Sequence, residues 1–147
     1  MPPPPLSGNL LDLGSGYGPI ALSVAAEAPA AQVWAVDVNQ RALELTRQNA
    51  DRLGIRNVAA VTPDAIPTDL RFDAIYSNPP VRVGKQAMHE LLEQWLSRLA
   101  PGADAFIVVH RHLGSDSLAA WLMANAFAVE RLRSSSGYRV LRVHARG

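Results

Sequence analysis

The sequence predicts an α/β fold: one mostly parallel sheet with helices on both faces. Three observations predict it. Strand-sized apolar runs alternate with helical patterns, the mark of strand–helix–strand crossovers. The first run, Leu10-Leu11, leads into a glycine-rich turn, Asp12-Leu13-Gly14-Ser15-Gly16-Tyr17-Gly18, and then a helix. Finally, Ala105 to Val109 is apolar at every position, as expected for a central strand buried on both faces.

Residues 1–8 read as a proline-rich tail, because Pro2-Pro3-Pro4-Pro5 can neither donate to a sheet nor continue a helix. Residues 9–147 read as one domain, with no internal repeat or linker. Asn9 to Leu13 is the first strand. Pro19 to Glu27 is a helix with proline in its first turn, where a missing N–H costs nothing. Gln32 to Val36 is a strand. Asn39 to Leu53 is a helix that Asn39 can cap and Gly54 ends, with Ala42, Leu45, Ala50 and Leu53 near one face. Val58 to Thr62 and Phe72 to Ser77 are the next strands. Lys85 to Leu99 is a helix, with Leu91, Leu92, Trp95 and Leu99 toward the core and Pro101-Gly102 as its stop. After strand Ala105 to Val109, Ser115 to Asn125 is a further helix. Ala128 to Arg133 and Tyr138 to Ala145 then form a hairpin around Ser134-Ser135-Ser136-Gly137, which makes one edge antiparallel.

Composition narrows the function classes. The chain is 48% hydrophobic, enough for one core, and its longest apolar runs are too short to span a bilayer. No basic-flanked apolar leader opens it. Cysteine is absent, which excludes a disulfide framework and a thiolate metal site and fits a cytoplasmic protein. Net charge is +1, so the whole molecule does not announce a polyanionic partner. Locally, five arginines and no acid follow from Arg131 onward, which reads as a solvated outer face or an RNA-contacting edge.

The glycine-rich turn has the chemistry of a nucleoside cofactor site. Gly14 and Gly16 carry no side chain, so backbone can approach a ligand, and the next helix offers free N–H groups. In open α/β sheets such turns lie at the ligand-binding carboxyl ends of the strands. A dinucleotide turn requires Gly-x-Gly-x-x-Gly or Ala, but Pro19 stands at the last position, and the spacing is Gly-x-Gly-x-Gly. Asp37 ends the second strand about twenty residues on, where a carboxylate can accept both ribose hydroxyls. Asp37 alone does not separate NAD from S-adenosylmethionine, since both carry ribose. Asp64 is a candidate for an adenine amino group and the Ala65 N–H for a ring nitrogen, although Pro63-Asp64 also reads as a plain turn.

Ser77-Asn78-Pro79-Pro80 closes the fourth strand. A planar base amine is a poor nucleophile because its lone pair is delocalised into the ring. The Asn78 side-chain oxygen and the Pro79 carbonyl can hold its two hydrogens and favour a tetrahedral nitrogen, while the prolines stiffen the loop. No metal is required. Taken alone, the same four residues are ordinary turn chemistry.

Together these segments resemble class I S-adenosylmethionine-dependent methyltransferases of the "methyltransferase small" type, similar to bacterial ribosomal RNA guanine-N2 methyltransferases of the small subunit. The resemblance is carried by residues 10–20, by Val36-Asp37-Val38-Asn39 with Arg41-Ala42-Leu43-Glu44, by Ser77 to Lys85, by Leu99-Ala100-Pro101-Gly102 and by the closing Gly137 to Arg142. It implies a Rossmann-like seven-stranded sheet in the order 3-2-1-4-5-7-6, the last strand antiparallel. It implies S-adenosylmethionine held by Asp12, Gly14, Ser15, Gly16, Asp37, Val38, Asp64, Ala65 and Asn78. The methionine end would lie on Asp12, Gly14 and Gly16, the ribose on Asp37 and the adenine on Asp64 and Ala65. Catalysis would fall to Asn78, Pro79 and Pro80. Many amine methyltransferases stack an aromatic residue after Asn-Pro-Pro; Val81 here offers less area. Arg82 and Lys85 would touch phosphates of RNA, the implied partner. Family members carry several dozen residues before the first strand, so this sequence is expected to be a fragment or a minimal form. Rival substrates are adenine N6 and a protein glutamine amide; a non-catalytic RNA- or ribosome-binding module is the rival class. His110-Arg111-His112 lacks a carboxylate partner and makes a poor metal site. Trp34, Trp95 and Trp121 read as packing residues.

Overall fold

The computed structural model describes residues 2–79, 84–110, 115–132 and 137–146. The strands are β1 (Ser7–Leu13), β2 (Ala30–Val36), β3 (Val58–Val61), β4 (Phe72–Ser77), β5 (Leu99–His110), β6 (Ala128–Leu132) and β7 (Tyr138–His144). The helices are α1 (Pro19–Glu27), α2 (Gln40–Leu53), α3 (Lys85–Leu96) and α4 (Ser115–Ala124), with a short 3-10 turn at Pro63–Ala65. The sheet order is β3-β2-β1-β4-β5-β7-β6. Pairing is parallel through β5 and antiparallel on both sides of β7. This is the order that the family resemblance implied.

Alternation along each strand divides the core in two. Leu10, Val33, Ala35, Tyr76 and Phe106 face α1 and α2. Leu11, Leu13, Ile75 and Ile107 face α3 and α4, where Leu92, Trp95, Leu118 and Leu122 meet them. Asp12 shares the Leu10 face, so its carboxylate lies beneath α1. Trp95 is buried, as expected. Trp34 is half-buried and donates from Nε1 to Asn9 Oδ1 at 3.1 Å, and Trp121 stacks on His89 at 4.1 Å.

The first strand starts at Ser7, inside the expected tail of residues 1–8, because Ser7 and Gly8 pair with Ala30 and Ala31 of β2. Three further details depart from the sequence reading. First, the inward face of α2 is Leu43, Thr46 and Ala50; Leu45 and Leu53 are 36% and 63% exposed. The glycine turn sets this phase. Thr46 Oγ1 lies 3.1 Å from both Gly16 O and Ala42 O, and its one proton is shared between them. Second, α3 ends at Leu96 rather than Leu99. The Arg98 carbonyl already accepts from Phe72 N–H at 2.9 Å, so Leu99 starts β5. Third, Pro101-Gly102 does not follow the helix but lies inside β5. There the β4–β5 register slips between Phe72/Leu99 and Ala74/Asp104. Proline lacks a ladder donor and Gly102 takes φ 78°, so this pair suits a bulge.

The arginines of the closing hairpin mostly face carboxylates. Arg131 and Arg139 share Asp116, at 3.0 and 3.2 Å. Arg142 and His144 share Asp104, at 2.7 and 2.6 Å. Arg146 grips Glu93 with two nitrogens, at 2.9 and 2.7 Å, and lies over Phe127. No described helix is long and apolar enough to cross a membrane.

Candidate cofactor and amine site

The glycine turn is built from both adjacent strand ends. Gly14 and Ser15 both donate from backbone N–H to Val36 O, at 2.8 and 3.0 Å, which hangs the turn on the end of β2. Asp37 takes over from there: Oδ2 accepts from Gly16 N–H and Oδ1 from Asn39 N–H, each at 2.9 Å. Asn39 in turn caps α2 by accepting from Arg41 and Ala42 N–H. Gly14, Gly16 and Gly18 have φ of 72°, 59° and 96°, a left-handed backbone that suits glycine.

Asp12 closes the other side. It is 2% exposed, and its Oδ2 accepts from Ala21 N–H at 3.1 Å. The N-cap of α1, Gly18, has no side chain, so Asp12 does the capping from nine residues upstream. Burial, assisted by the like charge of Asp37, pushes its carboxyl up to about 7 against the pull of the Ala21 bond.

Beside the turn is a cleft of about 310 Å³. Leu13, Gly14 and Val36 form one wall, with Asp37, Val38 and Pro63 beyond them. Asn78 closes it from the end of β4, where Ser77 Oγ donates to Leu13 O at 3.3 Å and ties the two strand ends together. Leu91 and Trp95 of α3 complete the wall. The sequence reading assigned both to the core, and apolar residues four apart on a helix carry no signal that separates a core face from a cleft wall.

The structure therefore brings Gly14, Asp37, Val38 and Asn78 to one cleft. Ser15 and Gly16 belong to the turn behind it. Asp64 and Ala65 lie on the exposed 3-10 turn just past Pro63 and do not line the cleft. A hydrogen bond from Thr62 holds the Asp64 carboxyl below the usual range. Pro79 is buried, and Lys85 is exposed at the first turn of α3. Pro80, Val81, Arg82, Arg111 and His112 lie outside the described residues. Among the described residues no cluster of metal-ligating side chains occurs.

Two observations test whether this site fits a nucleoside cofactor. The Ser15 hydroxyl is buried and lacks a hydrogen-bond partner among the described residues. Space is open where a Cβ on Gly14 or Gly16 would sit. A free buried hydroxyl beside bare backbone suits a polar ligand that presses on the turn.

The sequence profile of the methyltransferase small domain matches residues 1–142. The uncharacterized protein YbxB of Bacillus subtilis is 32% identical over 95% of this chain and 71% of its own length. Ribosomal RNA small subunit methyltransferase C of Shewanella amazonensis is 31% identical over 79% of this chain. Release factor glutamine methyltransferase of Bordetella pertussis is 47% identical over 49% of it. The matches span only 36% and 27% of those two proteins. Among solved structures, the Thermus thermophilus 16S rRNA N2 G1207 methyltransferase, in complex with AdoMet and guanosine, superposes with a TM-score of 0.79. It is 26% identical and covers 94% of this chain and 37% of its own.

Proposed function

The chain belongs to the methyltransferase small domain family, and from that premise we propose that it transfers a methyl group from S-adenosylmethionine to a guanine exocyclic amine (N2) of ribosomal RNA. The observation that carries this reading is Asn78, which shares one cleft with the glycine turn and Asp37.

S-adenosylmethionine supplies an electrophilic methyl on a sulfonium that leaves as a neutral thioether. The rest falls to the chain's own groups. Gly14, Gly16 and the Ser15 hydroxyl receive its polar end. Asp37 retains lone pairs for ribose hydroxyls, since each carboxylate oxygen can accept two bonds and here accepts one. Asp64 would take the adenine amino group from the exposed turn; the Ala65 N–H already donates to Thr62 O at 3.1 Å and is not free for the ring. Asn78 Oδ1 and the Pro79 carbonyl accept the two amine hydrogens, localise the nitrogen lone pair and orient it, with Pro80 stiffening the loop. The surplus proton passes to solvent after transfer, so no strong base is needed. Val81, Arg82 and Lys85 would meet the RNA around the flipped base.

One observation favours a second reading. The match to release factor glutamine methyltransferase is shorter but closer, and a glutamine amide presents the same planar NH2 group. The test offers labelled cofactor to small-subunit RNA and to a glutamine-bearing release factor. Methylation of RNA at guanine N2 supports the proposal; methylation of protein alone replaces it. Asn78→Ala should lower transfer about 10²–10³-fold, the usual cost of one preorganised transition-state bond. It should leave cofactor affinity within a few-fold. A variant equal to wild type in rate would remove Asn78 from the mechanism.

A further inference from the structure

We propose that Asp12 is a proton-coupled positioning residue: neutral while the cofactor site is empty, ionised when the cationic cofactor sits on the glycine turn. Binding of S-adenosylmethionine therefore expels a proton, and the site selects the sulfonium over its thioether product more strongly as pH rises. This inference rests on the cofactor reading above.

The geometry carries it. Asp12 is 2% exposed, and among the described residues its carboxylate accepts from Ala21 N–H at 3.1 Å. A neutral backbone donor compensates poorly for a negative charge held this far from water. Around it, the residue that follows β2 is the like-charged Asp37, which accepts from Gly16 N–H. On β4 the register partner is Tyr76, whose buried hydroxyl is pushed up to about 12 and stays neutral. The α1 helix offers backbone N–H, and α2 offers the uncharged Thr46. Asp37 thus holds the glycine turn and Asp12 the first turn of α1 behind it, and among the described residues neither carboxylate has an ion-pair partner. A ligand with net positive charge on that turn supplies the balance, and ionised Asp12 holds Ala21 more strongly, since charge-assisted bonds exceed neutral ones. The burial that pushes this carboxyl up to about 7 puts the exchange within the neutral range.

The sign follows from linkage. Below pH 7 the empty site must lose a proton before it binds the cation, so affinity falls as pH falls. Above it the proton is already gone. Release should be about 0.9 proton per cofactor at pH 6 and about 0.1 at pH 8, with affinity changing about tenfold between them. For S-adenosylhomocysteine, a zwitterion without the sulfonium charge and hence with no net charge, the change should be smaller, so the affinity ratio of cofactor to product should rise with pH.

The experiment is calorimetric titration of the whole chain with S-adenosylmethionine and S-adenosylhomocysteine at pH 6 and 8, in buffers of different ionisation enthalpy, which counts protons. Asp12→Asn should bind with no proton released and a flat pH profile. Infrared difference spectra of wild type give a second readout that needs no substitution: a protonated-carboxyl band should vanish on cofactor addition at pH 6. Binding with no proton change at either pH, or a pH-independent cofactor-to-product ratio, would overturn the proposal. Absence of any binding at both pH values would overturn the cofactor reading itself, and this proposal with it.

Discussion

Gly14 and Gly18 share a left-handed backbone but not a neighbourhood. A Cβ on Gly18 would lie 2.8 Å from Thr46 Cγ2, whereas one on Gly14 would meet nothing within 4 Å. Gly18→Ala should therefore destabilise the fold by about 1–3 kcal/mol, visible as a lower denaturant midpoint. Gly14→Ala should cost the fold only about 1–2 kcal/mol of backbone strain. Its methyl would occupy the cleft, so cofactor affinity should drop about tenfold, or 1.4 kcal/mol. Equal losses of stability and equal affinities in the two variants would erase this distinction. Asp37→Ala should weaken cofactor binding by roughly 1.5–3 kcal/mol, the range for hydrogen bonds to a charged group; calorimetry measures it directly. Unchanged affinity would free Asp37 from the ribose and leave it as the brace of Gly16 and Asn39.

The closing hairpin shows what reading along a chain misses. Its arginines were conspicuous as a run, but Asp116, Asp104 and Glu93 come from α4, β5 and α3. Such pairs depend on tertiary placement. The same holds for α2, where apolar counting chose Leu45 and Leu53 while the contact of Thr46 with the glycine turn selected the buried face. By contrast, the strands at Phe72–Ser77 and the helix at Pro19–Glu27 were legible to the residue, because local chemistry bounds them: Pro19 starts one and Asn78-Pro79 ends the other. The cleft was legible as far as Gly14, Asp37, Val38 and Asn78, whose motifs are contiguous. Leu91 and Trp95 were not recognised as cleft walls, since an apolar stripe looks the same facing a core or a ligand. Asp116→Asn gives the element-level test. Its partners are half-exposed, so thermal unfolding should move by no more than about 1 kcal/mol. A larger loss would mean the pair of arginines is docked more rigidly than exposed ion pairs allow.

Stability of the entire fold should carry the signature of Asp12. Its carboxyl sits near 7 when folded and near 3.8 in an open chain. Between those values the folded state keeps a proton that the unfolded chain has lost. Stability should therefore fall as pH rises through that window and level off above about 7. Asp12→Asn escapes this loss. Cofactor-free, it should match wild type near pH 4 and exceed it at pH 8, by at most on the order of 4 kcal/mol. Identical melting curves for the two proteins at pH 8 would contradict it. Finally, the order β5-β7-β6 gives the sheet a schedule. During synthesis β6 leaves the ribosome before β7, yet β7 is the strand that joins β6 to β5. Until β7 emerges, the edge of β5 stays open and β6 has no place on it. From the end of β5 at His110 to the end of β7 at His144, synthesis at roughly 5–20 residues per second leaves that edge open for about 2–7 seconds. A nascent chain arrested before Tyr138 should accordingly be the species that proteases and chaperones find, whereas one arrested with β7 clear of the tunnel should already resist them.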